Sequence, residues 1–407
     1  MLKDLAVFDI NIFREQMMED VDTLEYILEE VYSGFESLNK RGLSVRGMLN
    51  GVREQLSSTS VMNVAEFFDL ICEALQAIRD SHLIFSLPYF DKRHSFCAHS
   101  TVYLADVILK KEGNDYFVLS SSDEKVTCGS KIEIETEYLF KASKSEFLIG
   151  KFGEETLREI PLCLNGREIG VNISPATAKT QSSGPLWKHT FCNGADIVEI
   201  RSLAAFSEEE KQELEKLVSL GKSLKDASKV IVDLRGNKGG DSEFARRFIE
   251  NLNGQAVLNL NYAKRDSPGS RLAEVCFYAQ DKKDYDRIRT EILMDQQSDW
   301  KVAERKPIEV GEFKNALLIL TDRNTASSAE IMVKCLRDNI PQSVVIGENT
   351  SGTLCTGDIR YYYLPNSKIF LNIPTAVFSG ILEEGVGLLP DYWCKGDALK
   401  FAIGFDP

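Results

Sequence analysis

The chain has 407 residues, 43% hydrophobic and 27% charged, and a formal net charge of −14. That composition fits a globular protein with room for two or three domains and a large core. Its acidic balance argues against nucleic acid or an anionic membrane as the main partner. No stretch of about 18 apolar residues offers a membrane span, and no basic segment followed by an apolar one opens the chain as a secretory signal would. Nine cysteines, an odd number, stand at 72, 97, 128, 163, 192, 276, 335, 355 and 394 without a Cys-x-x-Cys pair. Cys276 and Cys335 sit in apolar patterns and read as buried thiols. A reducing, cytoplasmic setting is therefore expected, with export left open if a leader has been removed. Zinc, EF-hand and Walker patterns are absent, and neither a metal nor a cofactor is expected.

From residue 11 to 40 apolar residues recur four and three apart, at Met17, Val21, Leu24, Leu28, Val31 and Phe35. This predicts a helix packed within a domain, since too few heptads follow for a long coiled coil. A second helix is predicted over 62–79, with Val64, Phe67, Phe68, Ile71, Leu75 and Ile78 on one face. It ends at Asp80-Ser81-His82, so His82 is expected directly after a helix end, where an imidazole is readily tuned. From about 98 to 180 the period drops to two, with strands at 102–104, 116–119 and 132–134 and turns at Gly113-Asn114-Asp115 and Asn165-Gly166. Residues 176–186 are rich in Thr, Ser, Gln, Gly and Pro and read as a linker or exposed loop.

Beyond residue 187 strands alternate with helices, the pattern of an α/β domain. Strands are expected at 197–200, 230–234, 316–320 and 344–346. Helices are expected at 207–225, after Gly239-Gly240 through Phe244, Phe248 and Leu252, and after Ser327 through Met332, Val333 and Leu336. The domain boundaries implied are 1–92 for an N-terminal helical unit, 93–185 for a β-rich domain and 186–407 for the α/β domain.

Four stretches concentrate the chemistry. Ser327 and Ser328 stand where the buried 316–320 strand gives way to a helix, whose first-turn amides lack intrahelical partners and carry partial positive charge. A hydroxyl there can attack a carbonyl beside amides able to hold the oxyanion. By themselves the same residues read more readily as an ordinary helix cap, because Ser327-x-x-Glu330 is a capping box. Asp233-Leu234-Arg235-Gly236-Asn237-Lys238-Gly239-Gly240 turns sharply after a strand and leaves amides exposed, or is a plain connecting turn. His82 is one of four histidines. Glu383-Glu384-Gly385-Val386-Gly387, with Pro390-Asp391 behind it, reads by itself as a solvated turn before a last strand.

In this order the pieces resemble the C-terminal processing and tricorn-type serine peptidases. The matching residues are Asp80-Ser81-His82, Asp233-Leu234-Arg235-x-Asn237-x-Gly239-Gly240, Ser327-x-x-Glu330, Gly347-Glu348-x-Thr350-x-Gly352 and Glu384-Gly385-Val386-Gly387, spread over most of 60–395. The resemblance implies an α/β spiral of the Clp protease and crotonase kind for the catalytic domain. It also implies a PDZ-like module in the place of the β-rich segment, although the carboxylate-binding loop of such modules is not visible. The C-terminal processing branch uses a Ser-Lys dyad, and where its lysine stands this chain has Thr353. The tricorn-like branch pairs serine with histidine, adding a second serine beside the histidine and a late glutamate. Ser327, His82, Ser81 and Glu384 match that set, with Glu383 an alternative to Glu384. The resemblance then implies His82 as general base to Ser327, Glu384 and Ser81 as its orienting partners, and amides of Gly239 or Gly240 and of Ser328 as oxyanion donors. The expected substrate is a peptide or an unfolded protein tail, and a homo-oligomer is compatible with the sequence. The rival reading is a ligand- or peptide-binding protein that keeps this fold around a degenerate site.

Overall fold

The computed structural model describes residues 10–97, 101–153, 158–175, 184–303, 307–308, 311–379, 384–394 and 396–405. Two compact units are each assembled from separated stretches of chain. The first comprises Met1–Ala98, Leu260–Arg305 and Thr353–Glu384, the second His99–Asn259, Lys306–Gly352 and Gly385–Pro407.

In the first unit the expected long N-terminal helix is broken in two, Arg14–Glu30 and Phe35–Lys40. The stripe Met17, Val21, Leu24 and Leu28 is fully buried, as its spacing demands. The break has a tertiary cause. Ser33 donates its backbone N–H to Pro374 O and its hydroxyl to Ala376 O, both at 2.9 Å, and a continuing helix could make neither bond. Buried Asp20 accepts the backbone N–H groups of Asn366 and Ser367 at 2.8 Å, tying the first helix to the turn between two strands. Helices Val45–Ser57 and Val64–Ala74 complete the bundle, capped by the Ser44 and Asn63 side chains. Their apolar faces share one core with Phe85, Leu371 and Ile373 of a neighbouring sheet. That sheet runs in the order Asp299–Val302, Asn261–Asp266, Phe370–Ser379, Asp80–Leu87, Lys92–Phe96, with Thr356–Tyr363 also paired to Phe370–Ser379.

His82 does not follow a helix end. The second helix stops at Ala74, and Asp80–Leu87 is a strand. Leu83, Phe85 and Leu87 are buried in alternation, so a period of two takes over where a period of 3.6 was expected to end.

The second unit carries a six-stranded sheet in the order Trp187–Cys192, Ala195–Ile200, Lys229–Asp233, Ala316–Thr321, Val344–Gly347, Tyr392–Trp393. Its first pair is antiparallel and the rest are parallel. The central strands are continuous apolar runs, as expected where both faces are covered. Helices Glu208–Ser223, Ser242–Asn253 and Ser328–Asn339 fall where the sequence predicts them. A small PDZ-like barrel belongs to this unit. Five strands form its ring, Thr101–Glu112, Asp115–Ser121, Lys131–Glu133, Glu159–Leu164 and Arg167–Pro175, and the ring closes where Ile173 pairs with Ala105. Closure leaves the ring itself without a free edge, and the strands Glu146–Gly153 and Leu139–Lys141 extend the sheet outside it from Thr101–Glu112. Trp393, on the last strand of the large sheet, stacks on Phe140 of the barrel domain with ring centroids 4.5 Å apart.

Asp233 ends a central strand fully buried. Its Oδ1 accepts Arg235 Nε at 2.9 Å, while Oδ2 accepts Arg235 Nη2 at 2.8 Å and Arg201 Nη2 at 2.9 Å. Burial alone would raise its pKa, but the hydrogen bonds from Arg235 and Arg201 outweigh it and hold the carboxyl below its ordinary value. A depressed carboxyl pKa contributes stability that is present above the unfolded value and is lost as pH falls through the folded one. Asp233→Asn should therefore cost about 3 kcal/mol in urea unfolding at pH 7, because two guanidinium groups lose their buried counter-charge. The same variant should lose less of its remaining stability than the native chain between pH 5 and 2.

Candidate active site

Ser327 lies between the Ala316–Thr321 strand and the Ser328–Asn339 helix, at φ 53° and ψ −122°. A non-glycine residue in that conformation is strained, and such strain persists only where the surroundings over-determine it. Here they do. Asp322 Oδ1 accepts the backbone N–H of Gly236 at 2.9 Å, Thr325 Oγ1 donates to Leu234 O at 3.0 Å, and Ala326 N donates to Asn237 O at 2.9 Å. The loop before Ser327 is thus stitched to the loop that follows Asp233. Gly239, at φ +94°, lies against the serine itself. A Cβ there would come within 2.9 Å of Ala326 O, Ser327 Cβ and Ser328 N, so no other residue fits. Ser328 Oγ donates to Gly240 O at 2.6 Å, joining the first turn of the helix to the glycine pair.

Glu330 does more than cap. Its Oε2 accepts the Ser327 N–H at 3.0 Å, the carboxylate half of the expected capping box. Its Oε1 accepts Thr350 Oγ1 at 2.5 Å and Gly352 N at 2.9 Å, and the whole side chain is buried. Thr350 Oγ1 in turn accepts Leu388 N at 2.7 Å. Gly352, at φ +79°, sits so close to Gly385, Val386 and Gly387 that a Cβ would stand 2.6 Å from their backbone atoms. Two of the stretches singled out in the sequence therefore meet at one carboxylate, and a third packs against the second of them at Gly352.

His82, Ser81 and Glu384 come together in the first unit. Glu384 Oε1 accepts the Ser81 backbone N–H at 3.0 Å. Burial, then the negative charge of Asp80, push Glu384 up to about 7. Glu383 lies outside the described residues. Asp80, buried, gathers three hydrogens: the His82 backbone N–H at 2.9 Å and the Thr356 hydroxyl at 2.8 Å on Oδ1, and the Tyr32 hydroxyl at 2.9 Å on Oδ2. Burial, then Asp80, push the Tyr32 phenol far above its ordinary value. Thr356 Oγ1 lies 3.5 Å from His82 Nδ1. Neither Thr356 nor Tyr32 carries a signal in the sequence. Only strand pairing brings Thr356, 274 positions away, to the histidine.

Ser327, Ser328, Gly239 and Gly240 come together in the second unit. Gly239 N already donates to Asn237 Oδ1 at 2.8 Å. Cys335 is buried, and burial raises its thiol to about 12; the side chain of Cys276 lies outside the description. Among the described residues no cluster of histidine, cysteine and carboxylate side chains could hold a metal ion, and no helix is long and apolar enough to cross a membrane.

Residues 198–380 match Peptidase family S41. No curated protein sequence matches the chain. Among solved structures, mature CPAF is similar at 11% identity and a TM-score of 0.50, covering 93% of this chain and 92% of its own, which reflects a shared fold. A putative peptidase from Parabacteroides merdae aligns at 15% identity and a TM-score of 0.49 over 97% of this chain and 96% of its own. The photosystem II D1 C-terminal processing protease aligns at 15% identity and a TM-score of 0.41 over 96% of both chains. The matched segment, a little under half of the chain, holds the glycine pair, the strained serine and the glutamate beneath it, and over these residues the chain is similar to the serine-type peptidases of family S41.

Proposed function

We propose that the protein hydrolyses peptide bonds in peptides or unfolded protein tails by a Ser-His mechanism, with Ser327 as nucleophile and His82 as general base. The observation that carries this reading is the strained backbone of Ser327 at a strand-to-helix turn, pinned by Gly239 and Glu330. An ordinary helix cap needs no such strain, whereas a nucleophile presented on a sharp turn does. His82 would take the Ser327 proton as Oγ attacks the scissile carbonyl, then return it to the leaving amine, and water would resolve the acyl-enzyme. Because the Gly239 amide is committed to Asn237, the oxyanion would fall to the amides of Gly240 and Ser328. Thr353 occupies the place of the lysine in the Ser-Lys branch, which favours the histidine. Glu384 would act on the imidazole through the Ser81 segment.

Three outcomes are expected. Ser327→Ala should abolish labelling by a fluorophosphonate probe and lower kcat on an unstructured peptide by at least about 10³-fold, while Ser328→Ala, which loses one bond to Gly240 O, should weaken activity modestly. The reverse result would move the nucleophile by one position. With His82 as base, kcat/KM should fall as pH drops through roughly 6 to 7, since only neutral imidazole accepts the serine proton. A limb unchanged in His82→Gln would assign the base to another group. Finally, Glu384 has a raised pKa, so the folded chain binds its proton more tightly than the unfolded chain. Its contribution is full below the ordinary carboxylate range near 4.3 and is lost as pH rises through about 7. The urea midpoint of the native protein should fall across that window, and Glu384→Gln should flatten the fall.

A further inference from the structure

Resting on the reading of His82 as general base, we propose that Thr356 and Asp80 are its positioning residues, a hydroxyl-bridged carboxylate that holds the ring proton on Nδ1 and makes Nε2 the basic nitrogen. The argument is one of hydrogen-bond direction. An ionised carboxylate only accepts, and a threonine hydroxyl has one hydrogen to give. Asp80 Oδ1 receives that hydrogen at 2.8 Å. Thr356 Oγ1 then has only lone pairs to offer His82 Nδ1, 3.5 Å away, so Nδ1 must be the donor. Neutral imidazole carries a single ring proton, and fixing it on Nδ1 fixes Nε2 as the basic nitrogen.

Two further contacts hold Asp80 to this task. The His82 backbone N–H shares Oδ1, setting the ring and the carboxylate in one rigid turn, and the Tyr32 hydroxyl occupies Oδ2. Thr356 and Asp80 are 7% and 2% exposed, so water does not compete for these bonds. The charged groups acting on the cluster are Asp80, Glu384 and, on Tyr32, Arg41, with the Tyr32 phenol and the Cys355 thiol beside them. When Nε2 takes the serine proton, the bridged carboxylate stabilises the imidazolium, a role carried in a Ser-His-Asp triad by direct contact.

The test uses the full chain labelled with 15N-histidine. The chain has four histidines, and the His82 ring is assigned by its loss in His82→Gln. At a pH where the ring is neutral, the nitrogen shifts should show the proton on Nδ1 in the native protein and in Thr356→Ser. In Thr356→Val, which keeps the side-chain shape, a large share of the proton should move to Nε2, and kcat/KM should fall at least about tenfold, because the wrong tautomer cannot accept the serine proton. Thr356→Ser should restore both. A native ring protonated on Nε2, or a tautomer unmoved by Thr356→Val, overturns the assignment. A tautomer that shifts as expected in a protein without peptidase activity keeps the relay and rejects the peptidase reading. Peptidase activity with an unmoved tautomer does the opposite.

Discussion

Glu330 is the hub on which the second unit's chemistry depends. One buried carboxylate accepts from the strained serine's own amide, from a threonine hydroxyl and from the Gly352 amide. The first bond fixes the loop before the Ser328–Asn339 helix and the other two fix the loop after the Val344–Gly347 strand, so the two loops share one register. A carboxylate suits this role because its two oxygens offer several acceptor sites and bond to N–H groups more strongly than a neutral amide would. The strain at Ser327 is the counterpart. Relaxing φ would break the bond to Glu330 Oε2 and push the serine into Gly239, and the packed surroundings of both residues oppose that shift.

The first unit solves a different problem, that of two carboxyl groups close together away from water. Asp80 is given three donors, Glu384 a backbone amide, and the cost of two neighbouring charges falls on Glu384, whose titration is displaced toward neutrality. Burial, and then the neighbouring Asp80, move Glu384 into the range where it ionises near neutral pH.

The sequence carried the second unit better than the first. Continuous apolar runs and Ser, Asp or Asn caps marked the central strands and helices, because burial on both faces and first-turn hydrogen bonding are local constraints. The glycine motif was legible for the same reason: Gly239 is required by a close approach that leaves no room for a side chain. The first unit depends on distant partners. Nothing near Ser33 announces that it will bond Pro374 and Ala376 and so end a helix whose apolar stripe continues. Nothing near Thr356 points to His82, and nothing in residues 260–305 or 353–384 shows that they fold with the first 98 residues. The residues beside His82 mark it, but its helical setting misleads, because Ile78 carries the 3.6-residue pattern close to a strand in which Leu83, Phe85 and Leu87 alternate.

The stack of Trp393 on Phe140 has an optical consequence. The chain has three tryptophans, and Trp187 and Trp300 are partly exposed while Trp393 is 6% exposed. Its indole sits among Val102, Leu104 and Leu148 as well as Phe140, where the barrel domain meets the last strand of the large sheet. An indole in that surrounding emits at shorter wavelength than one in water. The blue component of the intrinsic emission therefore reports the docking of the barrel on its sheet, and loosening of that seam would redden the spectrum without any label being added.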